Sequence, residues 1–484
     1  MASKSRLPID RGWAWVIVGA SFMNIFWMVG LAKSFGILVE QFIETFHIST
    51  AVATMVISVS GIIYAFAAPI SIILGEHFTA RVVVMIGGVV AFIGMSISSL
   101  LLSIGFVIGF MGIGFGIGNA TLYGNSLVMV GNYFKKRRTL ANGMALAGAS
   151  IGQFTLPPFI QFLLDTYGLN GTLLLLGALY FHVTLFGALF RPIKSYVTKS
   201  CENDNKIQEE TELQTFIKSA SNEEVNYDVK LRALMASTGS IFLEEDTEAT
   251  QLNDTGVIQN GRVHDTSERK NICRTLFDFS VLRRPVSIFY VICSFLAFFG
   301  YFNFILFLPL HVKDKGIDKY EKALMLSICG VGDLLGRIGS GIIGDLNIIQ
   351  RYKIKAVSVI LIGVVILNFL AVSNFIAMSV LSGFYGFFGG VYVNYVSVVL
   401  IDFVGLKLMP KVLALILLIQ GGGAAAGQPF LGWLRDITGT FNIVIYICGI
   451  TPLIGGTLLL FYPLVKKRDD IAQLHTTANY DISS

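Results

Sequence analysis

The sequence is poor in charged residues for its length. Asp, Glu, Lys and Arg make up 14% of its 484 residues, whereas roughly a quarter of a typical soluble domain is charged. So few charges cannot cover the surface of a water-soluble fold of this size. They are also absent from many stretches of about 20 residues or more, the length that crosses a hydrocarbon core of about 30 Å. The composition therefore excludes a soluble protein and indicates that a bilayer surrounds most of the chain.

Cysteines are also scarce, and their positions exclude a disulfide framework of the secreted type. Of the five, Cys201 and Cys273 fall in a long polar segment, and Cys293, Cys329 and Cys448 fall in apolar stretches. Structural disulfides form in oxidising compartments. Neither a polar loop on the cytosolic side nor an apolar stretch within a membrane is such a compartment. We expect all five cysteines to be reduced.

Motifs of enzymes and of nucleic-acid-binding proteins are missing. The chain has no His-Glu-x-x-His metal spacing, no Gly-x-Ser-x-Gly elbow and no phosphate-binding glycine loop. Its net charge of +5 comes from basic clusters beside apolar stretches, where such clusters fix membrane topology. We therefore predict a protein that is not an enzyme and has no metal, no cofactor and no nucleic-acid partner.

What the sequence does contain is a series of apolar stretches, each long enough to span a membrane. Many are rich in Gly, Ala and Ser, which let helices approach closely where lipid provides no hydrophobic drive. They run near 13–39, 52–75, 81–103, 105–130, 140–164, 171–190, 286–310, 321–345, 354–373, 376–402, 411–434 and 442–464. The pattern predicts an all-α membrane protein with twelve transmembrane helices in two six-helix halves.

The polar segments divide the chain into five parts. Residues 1–12 and 466–484 are tails, 13–192 and 283–465 are the two helical halves, and 193–282 is a central loop crowded with Asp and Glu. Low hydrophobicity with many charges cannot offset chain entropy, so we expect most of this loop to be disordered.

The placement of lysine and arginine predicts the orientation. Basic residues precede the first span, form the run Lys135–Arg138 between spans four and five, and follow the last span at Lys466–Arg468. With twelve spans, all three clusters lie on one side of the membrane, and positive loops stay in the cytoplasm. We therefore expect cytoplasmic termini and a cytoplasmic central loop.

Two six-span halves joined by a long loop are typical of the major facilitator fold, in which a binding site lies between paired repeats near the midplane. A local motif agrees with this architecture. Gly341–Asp345, followed by Arg351, occupies the loop after span eight and resembles the superfamily's Gly-x-x-x-Asp-Arg signature. The matching loop after span two, Gly75–Arg81, keeps only fragments of that pattern.

Two longer motifs stand at the start of span one and before span five. Asp10–Trp15 reads Asp-Arg-Gly-Trp-Ala-Trp, and Tyr133–Gly148 contains Tyr-Phe, a basic run, Leu-Ala-x-Gly and a later Gly. Both are similar to signatures of the monocarboxylate transporter family, the second more closely. The resemblance covers nearly all of the chain outside the central loop and tail. It implies a major facilitator fold and a small monocarboxylate as cargo.

The sequence departs from the family pattern at three places. Arg11 replaces a small residue of the first motif, and Leu169-Asn170 stands where the family commonly has Trp-Arg. Gly389-Gly390 lies in span ten, where the family often has a bulky side chain at the first position. We expect these glycines to widen the pocket, which makes a larger monocarboxylate a rival to lactate or pyruvate.

Three charged residues lie well inside predicted spans rather than at their first or last residues, and each costs at least ~2.5 kcal/mol at a helix centre. Lys33 is about twenty residues into span one, and Asp333 and Arg337 lie in the middle of span eight. Asp333 and Arg337 are spaced i, i+4, so they share a helix face and can pair. A guanidinium matches a carboxylate in a two-bond geometry that lysine cannot imitate. These residues are the candidates for binding a substrate and a proton.

Structural interpretations of the same residues stay open at this point. Lys33 is close enough to the end of its span to extend its ammonium to the headgroups, and Asp333 with Arg337 can form a purely structural bridge. The family resemblance favours function, since it implies Lys in span one and Asp with Arg in span eight on the cargo and proton route. Leu31–Phe35 and Gly332–Arg337 match those two sites.

Other polar and aromatic residues of the spans are candidates for the cavity wall. The polar ones more often form hydrogen bonds between helices, each of which stabilises the helix bundle by about 0.6 kcal/mol on average. The candidates are Asn119, Tyr123, Asn125, Gln153, Phe302, Asn303, Phe388, Asn394 and Gln420.

We therefore predict a secondary transporter that carries a monocarboxylate in symport with a proton by alternating access. The cargo is of the lactate, pyruvate or ketone-body class, or a larger organic acid. Two alternatives stay open: a proton-independent facilitator of amino-acid-like or other larger carboxylates, and a non-transporting nutrient sensor. The resemblance also implies the plasma membrane and a single-span immunoglobulin-type partner such as basigin or embigin.

Overall fold

Long apolar helices account for nearly all of the structure, a computed structural model that describes residues 9–134, 137–192, 285–345 and 349–466. In chain order they are α1 (Trp13–Phe46), α2 (Thr50–Leu74), α3 (Ala80–Leu100), α4 (Gly112–Tyr133), α5 (Arg138–Tyr180), α6 (His182–Ala188), α7 (Pro285–Asp314), α8 (Lys319–Asp345), α9 (Arg351–Asn368), α10 (Phe375–Thr438) and α11 (Asn442–Leu460). The short helical turns are Ile104–Phe106 and the π-helical Gly75–Thr79 and Val107–Met111. The predicted central loop, 193–282, and most of both tails lie outside the described residues.

The helices of the described ranges make twelve membrane crossings, as predicted. Ten stretches are long and apolar enough to span on their own, two of them within α10. One of the ten, Leu140–Ala188, has 49 residues and leaves helical geometry at Gly168 (φ 64°, ψ −172°), so it accounts for two crossings. The twelfth is α9, whose 18 residues extend about 27 Å. It falls outside the ten because basic residues occupy its first turns.

The outside of the helix bundle is covered by large apolar side chains. Phe66, Ile86, Leu185 and Val380 are each more than half exposed, and they come from four different spans. Soluble monomers rarely expose large contiguous apolar surfaces. A bilayer accommodates them, so the chain is a multi-pass membrane protein.

Glycines set a close helix crossing in the first half. A Cβ on Gly30 of α1 would lie 2.7 Å from the Cα of Gly152 in α5, closer than two such atoms can approach. Gly148 and Gly152 form the small-xxx-small spacing that lets helix backbones meet. The crossing places Lys33, about one turn after Gly30, beside Gln153.

A second close crossing joins α8 to α10 in the other half. A Cβ on Gly386 would lie 3.0 Å from the backbone N of Asp333, and one on Gly390 would lie 3.0 Å from the backbone N of Arg337. The absence of side chains at both glycines therefore lets α10 lie against the backbone of α8. This contact fixes the position of the two charged residues along the bundle.

Polar contacts join the two halves at the end of the bundle where α1 ends and α2 and α8 begin, which we call the distal face. Lys322 of α8 lies 2.5 Å from Glu40 of α1, and Lys319 of α8 lies 2.6 Å from Asp165 of α5. Asp436 of α10 accepts hydrogen bonds of 3.0 Å from the first two backbone N–H groups of α2. These N–H groups have no partner within their own helix. Each contact links one half to the other.

Candidate functional site

Lys33, Asp333 and Arg337 lie together where the halves meet. Asp333 is fully buried, and its Oδ1 atom lies 3.5 Å from Lys33 Nζ. Its Oδ2 atom accepts a hydrogen bond of 2.9 Å from Arg337 Nε. One carboxylate therefore faces two cations. When all three groups are ionised, the cluster carries a single net positive charge.

The side chain of Lys33 points into the bundle. The residue is 5% exposed, and its ammonium donates a hydrogen bond of 2.6 Å to Gln153 Oε1. The ammonium also lies 5.8 Å from the centroid of the Tyr301 ring, within cation–π range. A lysine that extends to the headgroups would have none of these contacts, so the structure does not support that interpretation.

Two side chains of α5 connect the cluster across the interface between the halves. Ser150 Oγ donates a hydrogen bond of 2.5 Å to Asp333 Oδ2. Gln153 Nε2 donates one of 2.9 Å to Cys329 Sγ in α8. Gln153 is among the predicted residues and Ser150 is not, although residues three apart share a helix face. Together these bonds tie α5 of the first half to α8 of the second.

A cavity of about 240 Å³ lies between the halves, with the charged cluster at its wall. Lys33 and Arg337 line it, whereas Asp333 does not. Most of the other lining side chains are apolar or aromatic, and the rings are Tyr64, Phe115, Tyr123, Phe298, Tyr301 and Phe302. The cavity thus presents two cations to a bound molecule and keeps their counterion behind them.

Some of the predicted lining residues are in this wall. They are Asn119, Tyr123, Phe302 and Gln420. The amide of Asn119 is held in place by Tyr180, whose hydroxyl donates a hydrogen bond of 2.7 Å to Asn119 Oδ1. The wall also contains Gln428 of α10, which was not among the predicted lining residues.

The structure does not place the remaining predicted residues in the wall, which corrects that part of the prediction. They are Asn125, Gln153, Asn303, Phe388 and Asn394. Asn125 donates to backbone carbonyls of α2 and α4, and Asn394 donates to a serine of α8. Phe388 packs against neighbouring phenylalanine rings of α10. Asn303 is fully buried, and Gln153 contacts the charged cluster from α5. Asn125 and Asn394 therefore join neighbouring helices, and Gln153 supports the charged cluster.

Gly389 does not widen the cavity, contrary to the expectation from the sequence. A Cβ on this residue would lie 2.6 Å from Cε2 of Tyr301, so the Tyr301 ring fills the space that the absent side chain leaves. Tyr301 in turn lines the cavity beside Lys33. Gly390 serves the packing of α10 on α8.

The geometry leaves part of Arg337 available to a ligand. Its Nε atom donates to Asp333, while its terminal nitrogens donate to no other residue within the described ranges. Two N–H groups of a guanidinium match the two oxygens of a carboxylate. The cluster can therefore bind one carboxylate at Arg337 and exchange a proton at Lys33 or Asp333. Within the same ranges, His, Cys, Asp and Glu form no group of three or more that could hold a metal ion.

Sequence comparisons relate the chain to known transporters. A family model described as Major Facilitator Superfamily matches residues 14–361 and 290–478. The chain is 27% identical over 468 residues to monocarboxylate transporter 2 of Rattus norvegicus, with 96% of this chain and 85% of that protein covered. It is also 27% identical over 465 residues to monocarboxylate transporter 1 of Homo sapiens, with 93% and 85% covered. The predicted resemblance to monocarboxylate transporters is confirmed.

A solved structure shares the fold. The chain superposes on a POT family transporter, crystallised in complex with 5-aminolevulinic acid, with a TM-score of 0.58 and 16% identity. The match covers 93% of this chain and 96% of that chain. Likeness at this level of identity shows the fold alone, and it agrees with the predicted fold class.

Proposed function

The chain belongs to the Major Facilitator Superfamily, and on that basis we propose that it is a secondary transporter that carries a monocarboxylate together with a proton. Similarity to monocarboxylate transporters supports the cargo class. The observation that carries the proposal is the cluster of Lys33, Asp333 and Arg337 at the wall of a cavity between the halves. Ionisable residues inside a membrane mark substrate and proton routes.

Arg337 binds the cargo carboxylate in this proposal. Only its Nε atom is committed to Asp333, so the cargo can use the terminal nitrogens without displacing that carboxylate. The two-bond geometry selects a planar carboxylate. Lys33, which lines the same cavity, adds a second positive charge for the anion.

Charge balance favours the movement of one proton with each carboxylate. Without cargo, the cluster is neutral when Lys33 has released its proton, because Asp333 then balances Arg337. With one added proton and one bound carboxylate the cluster is neutral again. Both states avoid a net buried charge, which is costly in a low-dielectric interior. A carboxylate bound without a proton would leave the cluster negative.

Alternating access moves the site between the two sides of the membrane. In this structure the halves are joined at the distal face through Glu40–Lys322 and Asp165–Lys319. The cavity extends from Lys33 away from that face, because its α1 lining residues Ile25, Met28 and Val29 all precede Lys33. In the proposed cycle these ion pairs separate when the distal side opens.

The remaining parts of the proposal concern the cell. We infer from the basic clusters that both termini and the loop 193–282 lie in the cytoplasm. We infer from the family resemblance that the protein acts in the plasma membrane. The tails 1–12 and 466–484 flank the two helical halves, 13–192 and 283–465. A single-span immunoglobulin-type partner such as basigin or embigin assists delivery to the surface.

An uptake screen tests the proposed function. Cells that express the chain are given radiolabelled monocarboxylates at two external pH values, and uptake is normalised to surface protein. We expect uptake to rise as external pH falls. Arg337→Lys should abolish it, because lysine cannot reproduce the two-bond geometry. Arg351→Lys is the matched control, since Arg351 is a partly exposed residue that pairs with Asp402 outside the cavity.

Three outcomes of this screen would contradict the proposal or part of it. Uptake that does not depend on the proton gradient would favour the proton-independent facilitator. Binding of a carboxylate without any flux would favour the nutrient sensor. Normal uptake by Arg337→Lys would remove Arg337 from the carboxylate site.

A further inference from the structure

Gln153 is a buried side chain of α5 whose amide bonds to both halves of the protein. The residue is 1% exposed. Its Nε2 atom donates a hydrogen bond of 2.9 Å to Cys329 Sγ of α8, which leaves its Oε1 atom facing Lys33 of α1. That oxygen accepts a hydrogen bond of 2.6 Å from the lysine. An ammonium has three donors and no acceptor, so an acceptor held in this place binds the protonated lysine more strongly than the neutral amine.

Among the described residues, the titratable groups that face Lys33 come from the second half. The groups within electrostatic range of its ammonium are Asp333, Arg337 and Cys329 of α8 and Tyr301 of α7. Asp333 is the acid among them, and its Oδ1 atom lies 3.5 Å from Lys33 Nζ. In the same part of the chain, the first half provides one side-chain acceptor for this ammonium, Gln153. Lys33 therefore has one polar partner on its own half and an acid on the other.

The helices that carry Lys33 and Gln153 are packed together within one half. They cross where a Cβ on Gly30 of α1 would lie 2.7 Å from the Cα of Gly152 in α5. Alternating access rocks each half as a largely rigid body. The distance from Lys33 to Gln153 is therefore kept when the halves move, whereas the distance from Lys33 to Asp333 changes. Gln153 is the partner that stays with the ammonium.

We propose that Gln153 is a positioning residue for the coupled proton. Its amide oxygen holds the protonated ammonium of Lys33 in both arrangements of the halves, and it thereby sets the external pH at which the site takes up its proton. The inference rests on the proposed function and adds a residue to the same site. Gln153 does not line the cavity, so it acts through Lys33 and not on the cargo.

The dependence of uptake on external pH tests the proposal. The probe is whichever of lactate, pyruvate, 3-hydroxybutyrate and 3-phenylpropionate gives the largest uptake, and each variant is scaled to its own maximum at equal surface protein. Gln153→Met keeps the length of the side chain and removes the acceptor. Its uptake should become half-maximal at an external pH lower by about one to two units, the scale of one hydrogen bond to a charged group.

A second variant at the same position should move the curve the other way. Gln153→Glu keeps the shape of the side chain and places an anion beside the ammonium, which favours the bound proton. Its uptake should become half-maximal at a higher external pH than that of the unmodified protein. A glutamine that only joins α5 to α8 through Cys329 predicts no shift of opposite sign, because both variants remove the same donor to the thiol.

The matched control is Gln161→Met. Gln161 is a second buried glutamine of α5, it lies outside the cavity wall, and it bonds to Asp165. The pH at which this variant reaches half-maximal uptake should equal that of the unmodified protein.

The outcomes separate this inference from the proposed function. If the unmodified protein takes up none of the probes, or takes them up without dependence on the proton gradient, the proposed function is wrong. If its uptake is proton-driven but Gln153→Met leaves the half-maximal pH unchanged, the role of Gln153 is wrong. If Gln153→Met does not reach the membrane, Gln153→Glu decides, since an unchanged or lower half-maximal pH in that variant also overturns the inference.

Discussion

Replacement of Asp333 by Asn should destabilise the protein more than any other change of one charge in the spans. Asp333 is fully buried and faces both Lys33, at 3.5 Å, and Arg337, at 2.9 Å. Asparagine keeps the shape of the side chain and removes its charge. Two neighbouring cations then remain in the interior without their counterion.

The expected magnitude follows from the cost of breaking a buried ion pair. Removal of one partner of such a pair costs about 3–5 kcal/mol, because the other charge stays buried and uncompensated. Here one carboxylate serves two cations, which places Asp333→Asn toward the upper end of that range. For a chain of this size we expect a fall in melting temperature of roughly 5–10 °C.

Thermal unfolding in detergent measures the effect, and a double-mutant cycle assigns it. Lys33→Gln added to Asp333→Asn should raise the melting temperature again, because it removes one of the two uncompensated cations. Arg337 then remains, but it lines the cavity and can be hydrated. Asp165→Asn is the matched control, since Asp165 pairs with an exposed lysine, and it should change the melting temperature little. The reasoning is refuted if Asp333→Asn has the same melting temperature as the unmodified protein. It is also refuted if the addition of Lys33→Gln lowers the melting temperature further.

Three other predictions test orientation, the roles of the charged pair and helix packing. An epitope inserted near Thr250 should bind antibody only after permeabilisation, and labelling of intact cells would overturn the orientation. Exchange of Asp333 and Arg337 should abolish uptake at normal surface level, whereas normal uptake would indicate a purely structural bridge. Gly30→Leu should lower the melting temperature by several degrees, because its side chain meets the backbone of Gly152. An unchanged melting temperature would contradict the close crossing of α1 and α5.

The fold was predictable from sequence because a membrane leaves few alternatives. In lipid, every backbone N–H and C=O group must form a hydrogen bond within the protein, so a long apolar stretch becomes a helix. The number of such stretches then gives the number of membrane crossings. The twelve crossings follow from that rule, including α9, whose basic residues lower its apolar character. The break at Gly168 within Leu140–Ala188 agrees with the predicted boundary between spans five and six, near residues 164–171.

The site was predictable only in part. A sequence shows which residues are charged, but it does not show whether a residue's side chain faces the cavity or a neighbouring helix. Lys33, Asp333 and Arg337 were identified by the cost of burying them. Asn125 was not distinguishable from Asn119, because both are amides within one span, and only the packing shows that Asn119 lines the cavity while Asn125 bonds to the backbone. The effect of glycines was similarly hidden, since the sequence does not show which neighbour fills the space that a glycine leaves.

Simultaneous measurement of carboxylate and proton flux in proteoliposomes tests the central claim most directly. The purified protein is reconstituted with a pH-sensitive dye inside, and a labelled monocarboxylate that the uptake screen has identified is added outside. We predict that the interior acidifies as the carboxylate enters, in equal amounts, and that Lys33→Gln and Lys33→Arg both lose the proton-driven flux, since neither side chain can release a proton during the cycle. Carboxylate entry without acidification, or normal coupled flux in Lys33→Arg, would contradict the account.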